Sequence, residues 1–364
     1  MIEKGRISVR QFTILVLLYT IGTTILIIPS ILASNAKQDA WIAGLIGLAI
    51  AVAATLFYFH LASKFPEKNL AEIFEILFGK WVGKLFSFIY FFVFVFLLAI
   101  FVLRDIGDFM VTVMMVETPI QAIHLSFLII VIIAVRLGLE TFTRAAELFL
   151  PWVVMLYIIL FLTITPQIDM RYAQPVLENG IKPVLNAAFS FVTFPYFEMI
   201  IFLMVIPYVN TPSRTKGGLV IGGVIGGCFL IILSMLSILV VGVEETSESI
   251  YSSYDLAKQI NLGGFFQRVE AMMAFIWFTT VFVKLTLLIY VLCLGLAHTF
   301  GLSNYKTLTL PLGLLTFVLA NDIFPNMAFL VEFTRTMQLY VLFWGLIIPL
   351  LLWIIAKFKR IDRT

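Results

Sequence analysis

Residues 186–208 read NAAFSFVTFPYFEMIIFLMVIPY, an apolar run long enough for a bilayer that carries Pro195 and Glu198 near its middle. Both are costly there. A mid-span proline removes a helical hydrogen bond and clashes with the preceding turn, and a carboxylate at membrane depth costs about 2.5–3.5 kcal/mol even on lenient scales. Such backbone is tolerated where it is buried in protein or lines a wet cavity. One reading is a proline kink with the glutamate packed on a polar partner. The other, adopted as the working expectation, is a broken helix whose unwound middle lines a site for a small polar molecule.

Composition around this stretch sets the class. Of 364 residues, 62% are hydrophobic and 12% charged, and mean hydropathy is +1.07, the profile of a polytopic helical membrane protein. Apolar runs near 12–33, 41–61, 85–103, 120–135, 148–165, 186–208, 217–243, 265–297, 308–320 and 337–355 predict about ten spans in a single transmembrane domain, residues 1–364. The first run ends in a weakly signal-like Ala-Ser-Asn-Ala but is too long for a signal core, so it is expected to be a retained span. Basic residues favour the side of the N-terminus roughly two to one, which predicts cytoplasmic termini. That count puts Arg104, Arg268 and Arg335 outside. The longest outer segments are 166–183 and 244–267.

The first span is interrupted too. It reads TIGTTILIIPS, with Gly22, Thr23 and Thr24 breaking an aliphatic run. About five helices separate it from the span at 186–208, so the two breaks fall at matching places in two inverted halves, approximately 7–165 and 184–357. This pattern points to a midplane site between repeats, with half-helix N-termini aimed at an anionic group. A glycine that only permits close helix packing is the alternative. Lys284 lies far from either end of the eighth span, and its ammonium needs a partner at depth. Glu198 is the natural choice, as part of a cation site or as a structural ion pair.

Other features carry less. The glycines of GGLVIGGVIGGC, 217–228, are spaced for helix packing, and no phosphate-binding loop is present. Asp105 and Asp108, one turn apart beyond the third span, read as a solvated helix end in preference to a cation-attracting patch. Cys228 and Cys293 sit in apolar runs, and the spacing of His60, His124 and His298 suggests no metal site. No catalytic motif occurs, so neither an enzyme nor a cofactor is expected, and a net charge of +3 gives no sign of nucleic-acid binding. Arg136, Glu140, Arg144 and Glu147 fall in the link between the fourth and fifth spans. With opposite charges at i,i+4 spacing, they are expected to form a helical cluster that couples the bundle to a partner.

These stretches also carry a family likeness. ISVRQF (7–12) leading into IGTTIL and Pro29, KQDAWI (37–42), RLGLETFTRAAELFLP (136–151), QPVLENGIKPVLNAA (174–188) and FPYFEMI (194–200) together resemble the B subunits of nutrient germinant receptors of endospore-forming bacteria. Those proteins belong to the amino acid-polyamine-organocation transporter superfamily. The resemblance implies an all-α fold like that of the transporter LeuT, with two inverted five-helix repeats and broken first and sixth helices. It also implies a small-molecule germinant, an A subunit and a lipoprotein C subunit as partners, and the spore inner membrane as location.

On this reading Gly22, Thr23 and Thr24 bind a carboxylate, and the sixth-span carbonyls with Glu198 bind an ammonium. Phe194, Tyr196 and Phe197 shape the pocket, and Thr280 and Thr286 add a wall beside Lys284. The competing function is a proton- or sodium-coupled amino acid or polyamine transporter.

Overall fold

Helix formation begins at Ser8. Its hydroxyl accepts from Gln11 N at 3.1 Å while Gln11 Oε1 accepts from Ser8 N at 3.0 Å, a reciprocal cap that starts α1, Val9–Ile21. The structure is a computed structural model describing residues 2–3, 5–259 and 269–360; Lys4, residues 260–268 with Arg268, the termini beyond, and the side chains of Val331 and Arg335 lie outside the described part.

After Gly22 and Thr23 the chain resumes as α2, Thr24–Ala36. Lys37, at φ 52°, turns it into α3, Ala40–Ser63. The short amphipathic α4, Leu70–Phe78, then leads to a long third crossing over 80–114, made of α5, Lys80–Ile89, a π-helical turn, and α6, Phe96–Phe109. Gly138, at φ 99°, separates α7, Ile120–Leu137, from α8, Leu139–Ile164. The sixth crossing opens with α9, Ile181–Phe191, and α10, Thr215–Val241, follows it. Two short helices, α11, Val243–Glu248, and α12, Ser252–Lys258, precede α13, Glu270–Phe300. The chain closes with α14, Thr309–Asp322, α15, Met327–Leu342, and α16, Ile348–Phe358.

Among the described residues eight helices, or nine with a bent pair, meet the length and apolarity needed to cross a membrane. The eight-helix count takes α2 and α3 as one run of 40 residues. Lys37 divides that run, and α2 completes the crossing that α1 begins. With the 14-residue α14 as a further short crossing and α15 with α16 as the last, the bundle has about ten. Its centre is the sixth crossing and α13, whose apolar windows are each 94% buried, against 22% for α8 at the periphery. The glycine stripe of α10 packs as expected. A Cβ on Gly222 would come within 2.6 Å of the Thr13 carbonyl, and one on Gly226 within 2.7 Å of Thr20 Cβ, so α1 and α10 meet backbone to backbone.

Two expectations need correction. The third crossing continues to residue 114, so Arg104, Asp105 and Asp108 are buried among helices rather than solvated beyond a helix end. The charges that suggested an end are inside because Arg104 Nε bonds Asp108 Oδ2 at 2.8 Å, one turn along. Likewise Arg136, Glu140, Arg144 and Glu147 do not form one helical charge ladder, because Gly138 breaks the helix between the first two. Among the described residues no ion pair joins them; Glu147 instead meets Arg10 Nε at 3.5 Å and Gln11 Nε2 at 3.1 Å, at the start of α1.

The segment at 165–180 is fastened to the body. Asp39 accepts from Leu177 N at 3.0 Å, Gln38 Nε2 donates to the Pro175 carbonyl at 2.6 Å, and Asp169 N donates to the Leu239 carbonyl at 2.8 Å. Hydrogen bonds from Arg171 hold the exposed Asp169 carboxyl down at about 2, so this pair stays charged at any physiological pH.

Candidate functional site

The first break is two residues wide. Gly22 sits at φ 25°, ψ −131°, a conformation that favours glycine, and its N–H still closes the last turn of α1 on Leu18 O at 2.9 Å. Thr23 occupies the N-cap of α2 but makes no side-chain cap, and Thr24 Oγ1 has no partner. The N-terminus of α2 therefore presents uncapped N–H groups inside the protein.

The sixth break has a different cause. Proline lacks an N–H and disfavours helical geometry in the residue before it, and Phe194 is extended at φ −113°, ψ 112°. Beyond Pro195 the chain winds as a tight 3₁₀ helix, Phe197–Met204, so no α-helix resumes before Tyr208.

Lys284 on α13 joins the two breaks. Its Nζ lies 2.8 Å from Glu198 Oε2, donates to Thr23 Oγ1 at 3.3 Å, and stands 4.9 Å from the centre of the Tyr19 ring. The Tyr19 hydroxyl donates to the same Glu198 oxygen at 2.9 Å. The carboxylate thus has two donors and the ammonium two oxygen partners and a ring face, the satisfaction a buried ion pair needs. Lys284 also fills the space that a side chain at residue 22 would take, since a Cβ on Gly22 would come within 2.6 Å of its Cδ.

Beside this pair lies a small cavity with a water-accessible volume of about 10 Å³, room for about one water. Thr23, Thr24, Phe194, Glu198 and Lys284 line it. Ile27 of α2, Leu98, Phe101 and Val102 of α6 and Thr334 and Met337 of α15 complete it. The sequence reading missed these six; five of them are apolar, and in a membrane bundle apolar side chains turned to a site look like those turned to lipid. It missed Tyr19 as well, although a hydroxyl one turn before the Gly22 break was a usable signal.

Five residues expected in the pocket do not line it. Tyr196 turns to α10, donating to the Gly223 carbonyl at 2.9 Å. Phe197 packs against Gly345, its carbonyl approached by the Tyr58 hydroxyl at 3.4 Å. Thr280 Oγ1 donates to Ile276 O at 3.0 Å and reaches Gly22 O at 3.4 Å, and Thr286 is buried within α13. Gly22 shapes the break without facing the cavity.

Both approaches to the cavity are packed. On one side Ile7 pairs with the end of the sixth crossing, Ile7 N donating to Tyr208 O at 3.0 Å and Asn210 N to Ile7 O at 2.9 Å. On the other, Ser253 Oγ of α12 donates to Ile25 O at 2.6 Å, and the Phe109 ring touches Tyr251 at 5.0 Å and Trp277 at 4.5 Å between centroids.

A family model described as "Spore germination protein" matches residues 6–325. Spore germination protein KB of Bacillus subtilis (strain 168) is 31% identical over 99% of this chain and 97% of its own length, and spore germination protein YndE of the same strain is 25% identical over 98% of each. Among solved structures, MhsT in complex with L-phenylalanine superposes with a TM-score of 0.69 at 14% identity, covering 97% of this chain and 99% of that one. Mhp1, a nucleobase-cation-symport-1 family transporter in a closed conformation with bromovinylhydantoin bound, superposes at 0.67 and 13%, covering 92% and 75%. At such identities the likeness speaks for the fold, a LeuT-like bundle with broken first and sixth helices.

Proposed function

Because this chain belongs to the spore germination protein family, we propose that it is the membrane-embedded B-type subunit of a nutrient germinant receptor and binds a small germinant, an amino acid by its chemistry, at the cavity between the broken helices. The observation that carries the reading is the meeting of both breaks at one cavity that holds an uncapped helix N-terminus and a buried carboxylate. The N–H groups of α2 with Thr24 Oγ1 suit a carboxylate. Glu198 and the carbonyls of the sixth-span break suit an ammonium, and Phe101, Val102, Phe194 and Met337 suit an apolar side chain.

The cavity admits about one water, so a ligand has to open it. A ligand that prefers the opened arrangement shifts the equilibrium by its differential affinity, and A and C subunits read that shift. Both termini are assigned to the cytoplasm and the chain to the spore inner membrane, with inverted repeats at approximately 7–165 and 184–357. The short α8 start, where Glu147 meets α1, is the assigned coupling point, with Arg136, Glu140 and Arg144 beside it.

A coupled transporter is the second reading, supported by the fold shared with transporters. Lys284 Nζ already stands between Thr23 and Glu198, which supports proton rather than sodium coupling at that point. The test screens the proteinogenic L-amino acids against the purified full chain in lipid nanodiscs by thermal shift, alongside germination of spores deleted for the chain and complemented with it. A saturable shift by an amino acid that also triggers complemented spores is expected. Accumulation of that amino acid by proteoliposomes holding the chain alone moves the assignment to a transporter, and no shift by any amino acid overturns the ligand class.

A further inference from the structure

Among the described residues, the buried charges of the bundle interior do not balance. Lys284 is matched by Glu198, and Arg104 by Asp108, with the rest of the Arg104 guanidinium donating to the Ala320 carbonyl at 3.3 Å and to that of Phe324 at the end of α14. Asp105 is left over. It is buried, its Oδ2 has no hydrogen-bond partner, and among the described residues no cation lies within ion-pair distance. An uncompensated carboxylate at this depth costs several kcal/mol, so something positive belongs with it.

Its position says where that charge comes from. On α6, residues 98, 101, 102, 105 and 109 fall on one helical stripe. The first three line the cavity, and Phe109 is the hub of the aromatic cluster with Tyr251 and Trp277. Asp105 therefore sits between cavity and cluster, one turn from each. The groups around it are Arg104 and Asp108 on its own helix, the Thr112 hydroxyl one turn further on, the Tyr251 hydroxyl at the start of α12, and Lys284 of α13 within electrostatic reach. From α7, His124 packs on the opposite face of α6 against Gly107, and its Nδ1 is 3.1 Å from Asn321 Oδ1 of α14. The Tyr251 hydroxyl is the second observation. It is buried, it makes no hydrogen bond of normal geometry among the described residues although the Thr112 hydroxyl lies nearby, and it stands within electrostatic reach of both Asp105 and Asp108 without bonding either.

We propose that Asp105, with the Tyr251 hydroxyl facing it from α12, is the binding site of a single small cation, one helical turn from the ligand cavity on the side that α12 covers. The shared chemistry is one positive charge on oxygen donors, and its sources are a proton or a monovalent metal ion. An occupant that contacts Tyr251 ties α12 to α6, so occupancy favours the packed aromatic cluster, and its loss loosens it.

The experiment uses the full chain in nanodiscs. Its melting temperature is followed at constant ionic strength as N-methyl-D-glucamine chloride is exchanged for NaCl or KCl, and separately from pH 5 to 8. The wild type is expected to gain stability saturably. Dependence on NaCl or KCl identifies a metal ion, and dependence on pH alone identifies a proton. Asp105→Asn, which removes the charge but keeps the shape, is expected to abolish that response, while Tyr251→Phe shifts its midpoint about fivefold, the worth of one ordinary hydrogen bond. A wild type indifferent to both titrations overturns the proposal. So does an Asp105→Asn chain that responds like wild type, or, where that variant does not fold, a Tyr251→Phe chain with an unmoved midpoint.

Discussion

The two breaks face each other across one cavity but are held open by different means. In the sixth crossing the cause is covalent: Pro195 cannot donate and forces Phe194 out of the helix, and the chain beyond winds as 3₁₀. In the first crossing regular helices stand on both sides of a two-residue gap, and what fills the gap is Lys284, a side chain from another helix. One break is constitutive, the other conditional. The first is therefore the part that a ligand or a lost contact can change, and its state is tied to the second through Lys284, Glu198 and Tyr19.

The harshest way to break that tie is to remove one charge. Lys284→Met or Glu198→Gln alone leaves a buried partner uncompensated, and each is expected to lower stability by about 3–5 kcal/mol. The double variant is expected to recover much of that loss, because no orphan charge remains. Melting of purified variants in nanodiscs reads the difference, and a double variant as unstable as the sum of the singles rules out direct pairing.

Gly22→Leu comes next. It introduces a Cβ at positive φ, directly against Lys284 Cδ and 2.8 Å from the Tyr19 carbonyl, and backbone strain with overpacking together cost about 2–4 kcal/mol. Ligand response at matched protein level is expected to fall more than stability does, since the displaced lysine leaves both Thr23 and Glu198. An unchanged dose response in germinating spores contradicts the conditional character assigned to the first break. Tyr19→Phe is gentler. It removes one of the two donors on Glu198 and keeps the ring beneath the ammonium, for an expected loss of about 1.5–3 kcal/mol. A loss under about 0.5 kcal/mol shows that Lys284 alone satisfies the carboxylate.

The same contrast governs what the sequence disclosed. Pro195 announces its break by chemistry alone, and Gly22 announces the other only in company with Thr23, Thr24 and the matching interruption about five spans later. The need of Lys284 for a carboxylate at depth was legible, because few groups at that depth can supply one. Facing directions were not. Irregular winding on both sides of Pro195 turns Tyr196 to Gly223 and sets Phe197 against Gly345, which no repeat in the sequence announces. The stripe on α6 was hidden because Arg104, Asp105 and Asp108 look like the end of a span. Hydropathy weighs each charge singly and does not register that Arg104 neutralises Asp108 one turn away.

The smallest expected effect lies at the start of α1, where the conditional break connects to the rest of the bundle. Glu147 of α8 meets Arg10 and Gln11, with Arg10 78% exposed and Glu147 30% exposed. A pair so open to solvent contributes at most about 0.5 kcal/mol, so Glu147→Gln is expected to leave melting nearly unchanged. Its importance is positional. The pair holds the first half of the first crossing against α8, while α2, beyond the break, is held by α12 through Ser253. If ligand entry moves α1 relative to α2, a weak, exposed contact is the kind that can release without a large barrier, and loosening it changes transmission more than binding. Glu147→Gln is accordingly expected to keep protein level and ligand-induced thermal shift while lowering the germination rate, and Arg144→Gln, which breaks no observed ion pair, to leave all three nearly as they are. Equal losses in level, shift and germination for Glu147→Gln reduce the contact to a folding element. A germination defect in Arg144→Gln alone moves the coupling point off α1 and onto the exposed face of α8.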